Sequence, residues 1–250
     1  MSKKRSSSVQ PPAAVRPPPT GRPKNRLLAA LPDEDFRRIL PHLKTVPLAA
    51  KQVLLKRGDP IRHVFFPNGG VCSVTAMMKT GAAVEVATVG DEGMVGITAF
   101  FGGHAMPGES MVQVPDTSAE RMAIEAFRRE LDRHGALHEA IRRYSQGSMA
   151  LMMQSTACIA LHNVQERCCR WLLMTHDRIK ADQFNLSHEF LAMMLGSTRP
   201  TVTLVARSLQ EAGLIRYTHA RMTILDRSGL EAESCECYST VKTEFDRLGL

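Results

Sequence analysis

The chain lacks any run of eighteen or more apolar residues, and its first residues pass through Lys, Ser and Pro with no apolar segment of the signal-peptide kind. We therefore expect neither a membrane-spanning helix nor a secreted protein. Its six cysteines, at 72, 158, 168, 169, 235 and 237, form no Cys-x-x-Cys pair and are too sparse for a disulfide scaffold. A reducing cytoplasm is the compartment that fits. There is also no Walker loop, no Gly-x-Ser-x-Gly elbow and no His-Glu-x-x-His pair, so no catalytic constellation is present and an enzyme is not expected. The net charge of +7 suggests a basic protein, but the excess sits in one place. Lys3, Lys4, Arg5, Arg16, Arg22, Lys24 and Arg26 precede the first acid, Asp33, and the remaining 25 basic residues balance the 25 acidic ones. The folded body is neutral overall, and only a local cluster of cations would mark a nucleic-acid surface.

What is present divides the 250 residues into stretches of different pattern. Residues 1 to about 25 hold Ser, Pro and cations with almost nothing to bury, and we expect a disordered leader; a basic arm attracted to phosphates is the alternative. Leu27, Leu28, Leu31, Phe36, Ile39, Leu40 and Leu43 predict two short helices around Pro32-Asp33. From Val46 to Val114 short Val-, Phe- and Thr-rich runs are separated by Gly58-Asp59-Pro60, Pro67-Asn68-Gly69-Gly70, Thr80-Gly81 and Gly90-Asp91-Glu92-Gly93, the pattern of an antiparallel roll or sandwich. Within it, Val84, Val86 and Thr88 alternate with Glu85 and Ala87 as in a half-buried strand. After Pro115-Asp116 the period becomes helical, with a short helix over Ala123 to Leu131 and a long one from Ala136 to about His162. In the long helix Leu137, Ile141, Tyr144, Ser148, Leu151, Ser155 and Cys158 recur at four- and three-residue steps, a coiled-coil seam that we read as a dimer interface in preference to an intramolecular core helix. Met149, Met152, Met153, Thr156 and Ile159 widen its apolar face.

The most specific signal lies between Phe184 and Ile215. Ser187 is placed to cap a helix holding Phe190, Leu191, Met194 and Leu195; Gly196 follows as a turn; Thr198 can cap a second helix with Val202, Val205, Ala206 and Leu209 on its buried side. Two helices joined by a glycine-bearing turn make a helix-turn-helix. Pro200 is tolerated in the first turn, where its missing N–H costs nothing. The polar side of the second helix carries Arg199, Thr201, Thr203, Arg207, Ser208 and Gln210, and four arginines face one acid between Gly196 and Arg221, supplying the local basic cluster. Leu214 to Tyr217 and Met222 to Leu225 then read as the two strands of a wing.

Leu186-Ser187, Leu195-Gly196, Thr198-Arg199-Pro200-Thr201-Val202 and Gly213-Leu214-Ile215 together resemble the helix-turn-helix of the Crp/Fnr family of bacterial transcription regulators. Gly58-Asp59-Pro60, Val64-Phe65-Phe66, Gly70 and Gly90 to Gly96 are similar to that family's roll, and Arg167 to Leu173 to the helix entering its DNA-binding domain, so the likeness spans roughly Leu27 to Ser234. The resemblance implies an α+β fold: an N-terminal antiparallel β-roll, a cyclic-nucleotide-binding-like jelly roll, then a long dimerisation helix and a C-terminal winged helix-turn-helix. The corresponding divisions are 1–25, 26–135, 136–163, 164–234 and a C-terminal extension over 235–250. It also implies a homodimer on a palindromic double-stranded DNA site with half-sites about 34 Å apart, and a contact with RNA polymerase. Arg199 would read a guanine edge, Thr198 and Thr201 would hold phosphates, and Ser187, Thr203, Arg207 and Arg221 complete the expected DNA surface. Pro200 and Leu204 stand where the family often has a glutamate and a second arginine, so a different operator is expected.

The sensor half departs from the family's cyclic-nucleotide binders. Val95-Gly96-Ile97 lacks their ribose-binding glutamate, and Gly108-Glu109-Ser110-Met111 lacks the arginine that meets the cyclic phosphate, so cyclic AMP is not the expected effector. Gly90, Glu92, Gly93, Val95 and Gly96 are the candidate effector-pocket residues, because a glycine-rich turn can present amides to an anion, although a plain tight turn is the favoured reading of the segment. The first cysteine is Cys72, which excludes the family's N-terminal iron–sulfur cluster. Cys168 and Cys169 point apart on a helix, Cys235-x-Cys237 lacks partners, and His134 with His138 lacks a third ligand, so no metal site and no cofactor are assigned. Two alternatives stay open: a small-ligand sensor module acting through a protein partner, and a redox or metal sensor using Cys168, Cys169 or Cys235.

Overall fold

The computed structural model of the protein describes residues 21–115 and 118–250. Most of the expected leader, and Asp116 of the expected domain junction, lie outside the described residues. The leader reading fails at its last position. Asn25 is fully buried; its side-chain amide donates to the carbonyls of Pro67 (2.9 Å) and Gly93 (2.8 Å), and its Oδ1 accepts from the Leu28 N–H to cap α1 (Arg26–Ala29). Composition marks asparagine as solvated, but satisfying its donors inside the roll makes burial affordable. The second short helix, α2 (Asp33–Ile39), follows with three acids in its first turn, where the helix dipole favours them.

The turn signals deliver an antiparallel roll of two facing sheets. Strands β1 (Leu43–Pro47), β2 (Val53–Leu55), β3 (His63–Pro67), β4 (Val71–Met77), β5 (Ala83–Val89), β6 (Glu109–Val114) and β7 (Ser118–Ala123) arrange as β1-β7-β3 and β2-β6-β4-β5. The Gly58 and Gly81 turns, both at positive φ, fall between strands as expected. Strand β7 is a correction: the helical reading from residue 116 onward overlooked it because Ser-Ala-Glu-Arg-Met-Ala has little β-branched character, yet it is the middle strand of its sheet. The facing of β5 is a second correction. Glu85 and Ala87 are buried while Val84 and Val86 are half-exposed, since the polar side of the strand is covered by a helix that brings partners for Glu85.

After α3 (Ile124–Leu131) the long helix α4 runs over Ala136–Leu161, close to its expected bounds. Its seam is not where the heptad reading put the partner. Leu137, Ile141, Tyr144, Ser148, Leu151, Ser155 and Cys158 are all buried against the chain's own roll and C-terminal helices, and the outward stripe is Met149, Met152, Met153, Thr156 and Ile159. Helix α5 (Val164–Ile179) starts at a capping box in which Asn163 and Glu166 satisfy each other's backbone N–H. The C-terminal half follows: β8 (Gln183–Asn185), α6 (His188–Met194), α7 (Arg199–Glu211), β9 (Ile215–Thr218), β10 (Arg221–Ile224) and α8 (Arg227–Ala232), with β8-β10-β9 as a three-stranded wing sheet. The last segment is helix α9 (Cys237–Arg247), where Tyr238, Val241, Phe245 and Leu248 recur at helical spacing and pack on α4. One apolar core runs through roll, α4, α5 and the helix-turn-helix, and includes Phe66, Phe127, Met94, Ile141, Leu172 and Leu191. Among the described residues no helix is long and apolar enough to cross a membrane.

Candidate nucleic-acid interface and the sensor joint

The local chemistry of 186–212 builds the helix-turn-helix that the sequence predicts. Ser187 Oγ accepts from the Phe190 N–H (3.2 Å) to start α6, and Thr198 Oγ1 accepts from the Thr201 N–H (3.4 Å) to start α7. Each such cap contributes about 1 kcal/mol. Between them Gly196 adopts φ +56°, and a Cβ there would sit 3.0 Å from the Val84 side chain of β5. Glycine is required twice over, for the left-handed turn and for the approach of the helix-turn-helix to the roll.

Helix α7 buries Val202, Ala206 and Leu209 and turns Arg199, Thr203, Leu204 and Arg207 outward. Several of the expected DNA-binding groups are already engaged within the protein. The hydroxyls of Thr198 and Thr201 lie 2.8 Å apart, Thr203 Oγ1 donates to the Arg199 carbonyl (2.9 Å), and Arg207 Nε donates to Glu211 (2.8 Å). Among the described residues the side chains of Arg199, Arg216 and Arg221 have no hydrogen-bond or salt-bridge partner, and all three are exposed. Arg199 lies at the start of α7, and Arg216 and Arg221 lie on the wing strands β9 and β10, so the helix-turn-helix and its wing together carry three uncommitted cations. Ser187 is half-buried and serves as a cap. His188, which the sequence reading did not single out, stacks on Tyr217 with ring centroids 4.1 Å apart and sets its Nδ1 3.0 Å from Thr203 Oγ1. Burial, and then the Arg199 charge, hold its imidazole below the ordinary range, so it is neutral beside the arginine at pH 7. Leu204 is 68% exposed on this polar face.

The candidate effector residues gather at a joint. Glu92 is buried and accepts from the Gly90 N–H (3.1 Å) and from two nitrogens of Arg178 on α5 (3.0 and 2.8 Å). A Cβ on Gly93 would lie 2.4 Å from the Tyr144 ring of α4, so glycine is what lets the long helix seat on this turn. Val95 is buried and exchanges backbone hydrogen bonds with Phe65; Gly96 turns at φ +100° against Val64 and Leu55. Protein groups fill the turn, with Arg178 supplying the cation, which agrees with the plain tight turn that the sequence favours over an open anion cradle. Of the five residues only Glu92 lines an adjoining cavity of about 280 Å³, shared with Arg26, Asp91, Arg178, Lys180 and Tyr238.

A second polar contact crosses the same boundary. The Trp171 indole N–H donates to Glu85 Oε1 (3.0 Å), and Ser73 donates to the other carboxylate oxygen. Burial pushes the Glu85 carboxyl up to about 7, against these hydrogen bonds and the nearby charges of Arg170 and Arg178. The fold also corrects the view that Cys235-x-Cys237 stands without partners. Cys158 and His162, at the end of α4, are brought beside it, whereas Cys168 and Cys169 lie in the main core. No sequence motif signals this meeting, since 72 residues separate His162 from Cys235.

A helix-turn-helix with a wing and an outward basic face, joined by a long helix to an antiparallel roll, defines the class of sensor-coupled winged-helix transcription regulators. The sequence matches the family models of the cyclic nucleotide-binding domain over residues 45–134 and of the Crp-like helix-turn-helix domain over residues 166–233. The chain belongs to the Crp/Fnr family of transcription regulators. It is 25% identical over 194 residues to the transcriptional regulator LdrP of Thermus thermophilus, covering 74% of this chain and 94% of the relative. It is 26% identical over 180 residues to the global nitrogen regulator of Synechocystis, covering 67% of this chain and 78% of the relative. Among solved structures, a Crp-family transcriptional regulator from Thermus thermophilus superposes with a TM-score of 0.64 at 25% identity, over 76% of this chain and 96% of that one. FixK2 from Bradyrhizobium japonicum shares the fold, with a TM-score of 0.65 at 14% identity over 77% and 98% of the two chains.

Proposed function

We propose that the protein is a homodimeric, sequence-specific DNA-binding regulator that reads a palindromic double-stranded site with α7 and braces on the backbone with its wing, and that it has no enzymatic activity. The observation that carries this reading is the outward face of α7, where Arg199 is exposed and uncommitted while its neighbours hold the helix in place. A free guanidinium matches the two acceptors of guanine, and Arg216 and Arg221 supply charge for phosphates. The Met149, Met153 and Thr156 stripe of α4 gives a second copy a seam at three- and four-residue steps, which would set two reading helices about one turn of DNA apart. The effector, if one is needed, is not cyclic AMP, since the segment Gly108 to Met111 offers no cation for its phosphate.

Selection of bound sites from random duplex DNA at physiological salt tests the reading. We expect a palindrome with half-sites one helical turn apart from the full chain. From Arg199→Ala we expect loss of the preference at one base pair per half-site, about 1–3 kcal/mol each, with dimerisation intact. An Arg199→Ala protein that selects the same sequence as the parent overturns the role given to Arg199. A parent that binds no DNA even at low salt favours a sensor module acting on a protein partner.

A further inference from the structure

Three cysteines and one histidine, outside the reading head and the sensor turn, converge at the hinge between α4 and α5. Cys158 lies in the last turn of α4 and His162 caps that helix; Cys235 precedes α9 and Cys237 is its first residue. The four side chains place their donor atoms within 4.8 Å of one another. The three thiols are buried and form a cluster separate from the apolar core. Their Sγ atoms are free: Cys158 and Cys235 stand 3.6 Å apart, well beyond a disulfide bond of about 2.05 Å.

The separations match those around one tetrahedral ion. Zinc–sulfur bonds of about 2.3 Å set two thiolates about 3.8 Å apart, and a zinc–nitrogen bond of about 2.0 Å sets an imidazole nitrogen about 3.5 Å from a thiolate. The corresponding distances here are 3.6 Å for Cys158 Sγ to Cys235 Sγ and 3.5 Å for Cys237 Sγ to His162 Nδ1. An iron–sulfur cluster would hold its thiolates farther apart, across more than one metal atom. The surroundings have the form of an outer shell around such a site. His162 turns Nδ1 toward the thiols and sets Nε2 3.2 Å from the Glu236 carboxylate, and the Gln154 amide donates to Cys237 Sγ (3.0 Å). Arg170, buried on α5, places a positive charge near Cys158, which would offset the net negative charge of a divalent ion bound by three thiolates.

We infer that Cys158, His162, Cys235 and Cys237 form a Cys3His site for one tetrahedrally bound zinc ion, which ties the end of the long helix to the C-terminal segment. Binding releases the thiol protons and leaves no ligand position open, so the ion is structural and does no chemistry. It closes the hinge at His162-Asn163 from which α5 carries the DNA-binding half. The site stands independently of the reading given above; its influence on DNA recognition rests on that reading.

The test uses the full chain, purified anaerobically with a thiol reductant. Elemental analysis should find about one zinc per chain, and replacement by cobalt should give the intense visible absorption of a tetrahedral cobalt thiolate. Cys158→Ser or Cys237→Ser should abolish that absorption, while Cys168→Ser, outside the site, should keep it. Because a buried cysteine variant can fail to fold, Glu236→Gln is the decisive companion: it is exposed, and losing the carboxylate behind His162 should weaken metal affinity 10–100-fold without change in the circular dichroism spectrum. Failure of the parent to hold zinc or cobalt after reconstitution overturns the site. So does a Cys158–Cys235 disulfide in the anaerobic protein, or iron with acid-labile sulfide in place of zinc. Metal binding by a chain that shows no DNA binding leaves the site standing and counts against the proposed function alone.

Discussion

Glu85 shows how a single residue in this protein is set by what folds over it. Its carboxyl is buried beneath Trp171 and Ser73, and desolvation raises it from the usual carboxylate range to about 7. A raised carboxyl means the native state holds a proton that the unfolded state releases near pH 4.5, so this residue's contribution to stability is full below that pH. It is lost as pH rises toward 7 and stays lost above it. Glu85→Gln removes the charged form, and we expect its stability relative to the parent to improve by about 1–3 kcal/mol between pH 4.5 and pH 8, measured by urea unfolding at both. A pH-independent difference would show that Glu85 is not the titrating group. Strand alternation had placed Glu85 on the solvent side, because the sequence of β5 carries no trace of the helix, α5, that covers it.

At the scale of elements, α4 was legible in extent and misread in orientation. Two stripes of its sequence repeat at four- and three-residue steps, and a seam made of Leu137, Ile141, Tyr144 and Leu151 is the more apolar of the two. The fold uses that stripe internally, against the roll and α9, and leaves the methionine stripe outside, with Met153 69% exposed. The two faces are separable by experiment. Met153→Glu should weaken self-association at least tenfold, about 1.4 kcal/mol, in sedimentation equilibrium while leaving the helical circular dichroism unchanged. Leu151→Ala should cost about 2–5 kcal/mol of folding stability, since it removes a side chain only 2% exposed. The reverse pattern would restore the original seam as the interface. Helix-turn-helix elements are legible because caps, turn glycine and buried stripe are all local; α9 is legible too, since Tyr238, Val241, Phe245 and Leu248 carry a helical period within the segment read only as a C-terminal extension.

In the whole molecule, the DNA-binding half is fastened to the roll at three points: Gly196 against Val84, Trp171 with Glu85, and Arg178 with Lys180 on the turn at Asp91-Glu92. The Glu92–Arg178 pair is the deepest, with both side chains about one-tenth exposed or less. Removing one partner of such a pair leaves a buried charge without compensation. Arg178→Ala should therefore lose about 3–5 kcal/mol, and the double change Arg178→Met with Glu92→Leu should recover most of it. Trp171 is the one tryptophan in the chain and sits on this boundary, so its emission should shift to the red in Arg178→Ala if the joint loosens before the halves unfold. An unshifted emission with a simple drop in melting temperature would mean that the pair supports the fold and carries no coupling between the halves.

The sequence by itself determined the features that depend on neighbours within a few residues: the turns of the roll, the length of α4, the capping residues Ser187 and Thr198, and the outward arginine at the start of α7. Periodicity and capping act over one or two turns of chain, so the pattern alone carries them. The tertiary structure alone decided which stripe of α4 is internal, which side of β5 is covered, why the turn at Gly93 is filled by Tyr144, and that Cys158 and His162 meet Cys235 and Cys237. Each of these is a contact between segments far apart in the chain. Nothing in the spacing of one segment encodes the partner until the core has closed around both.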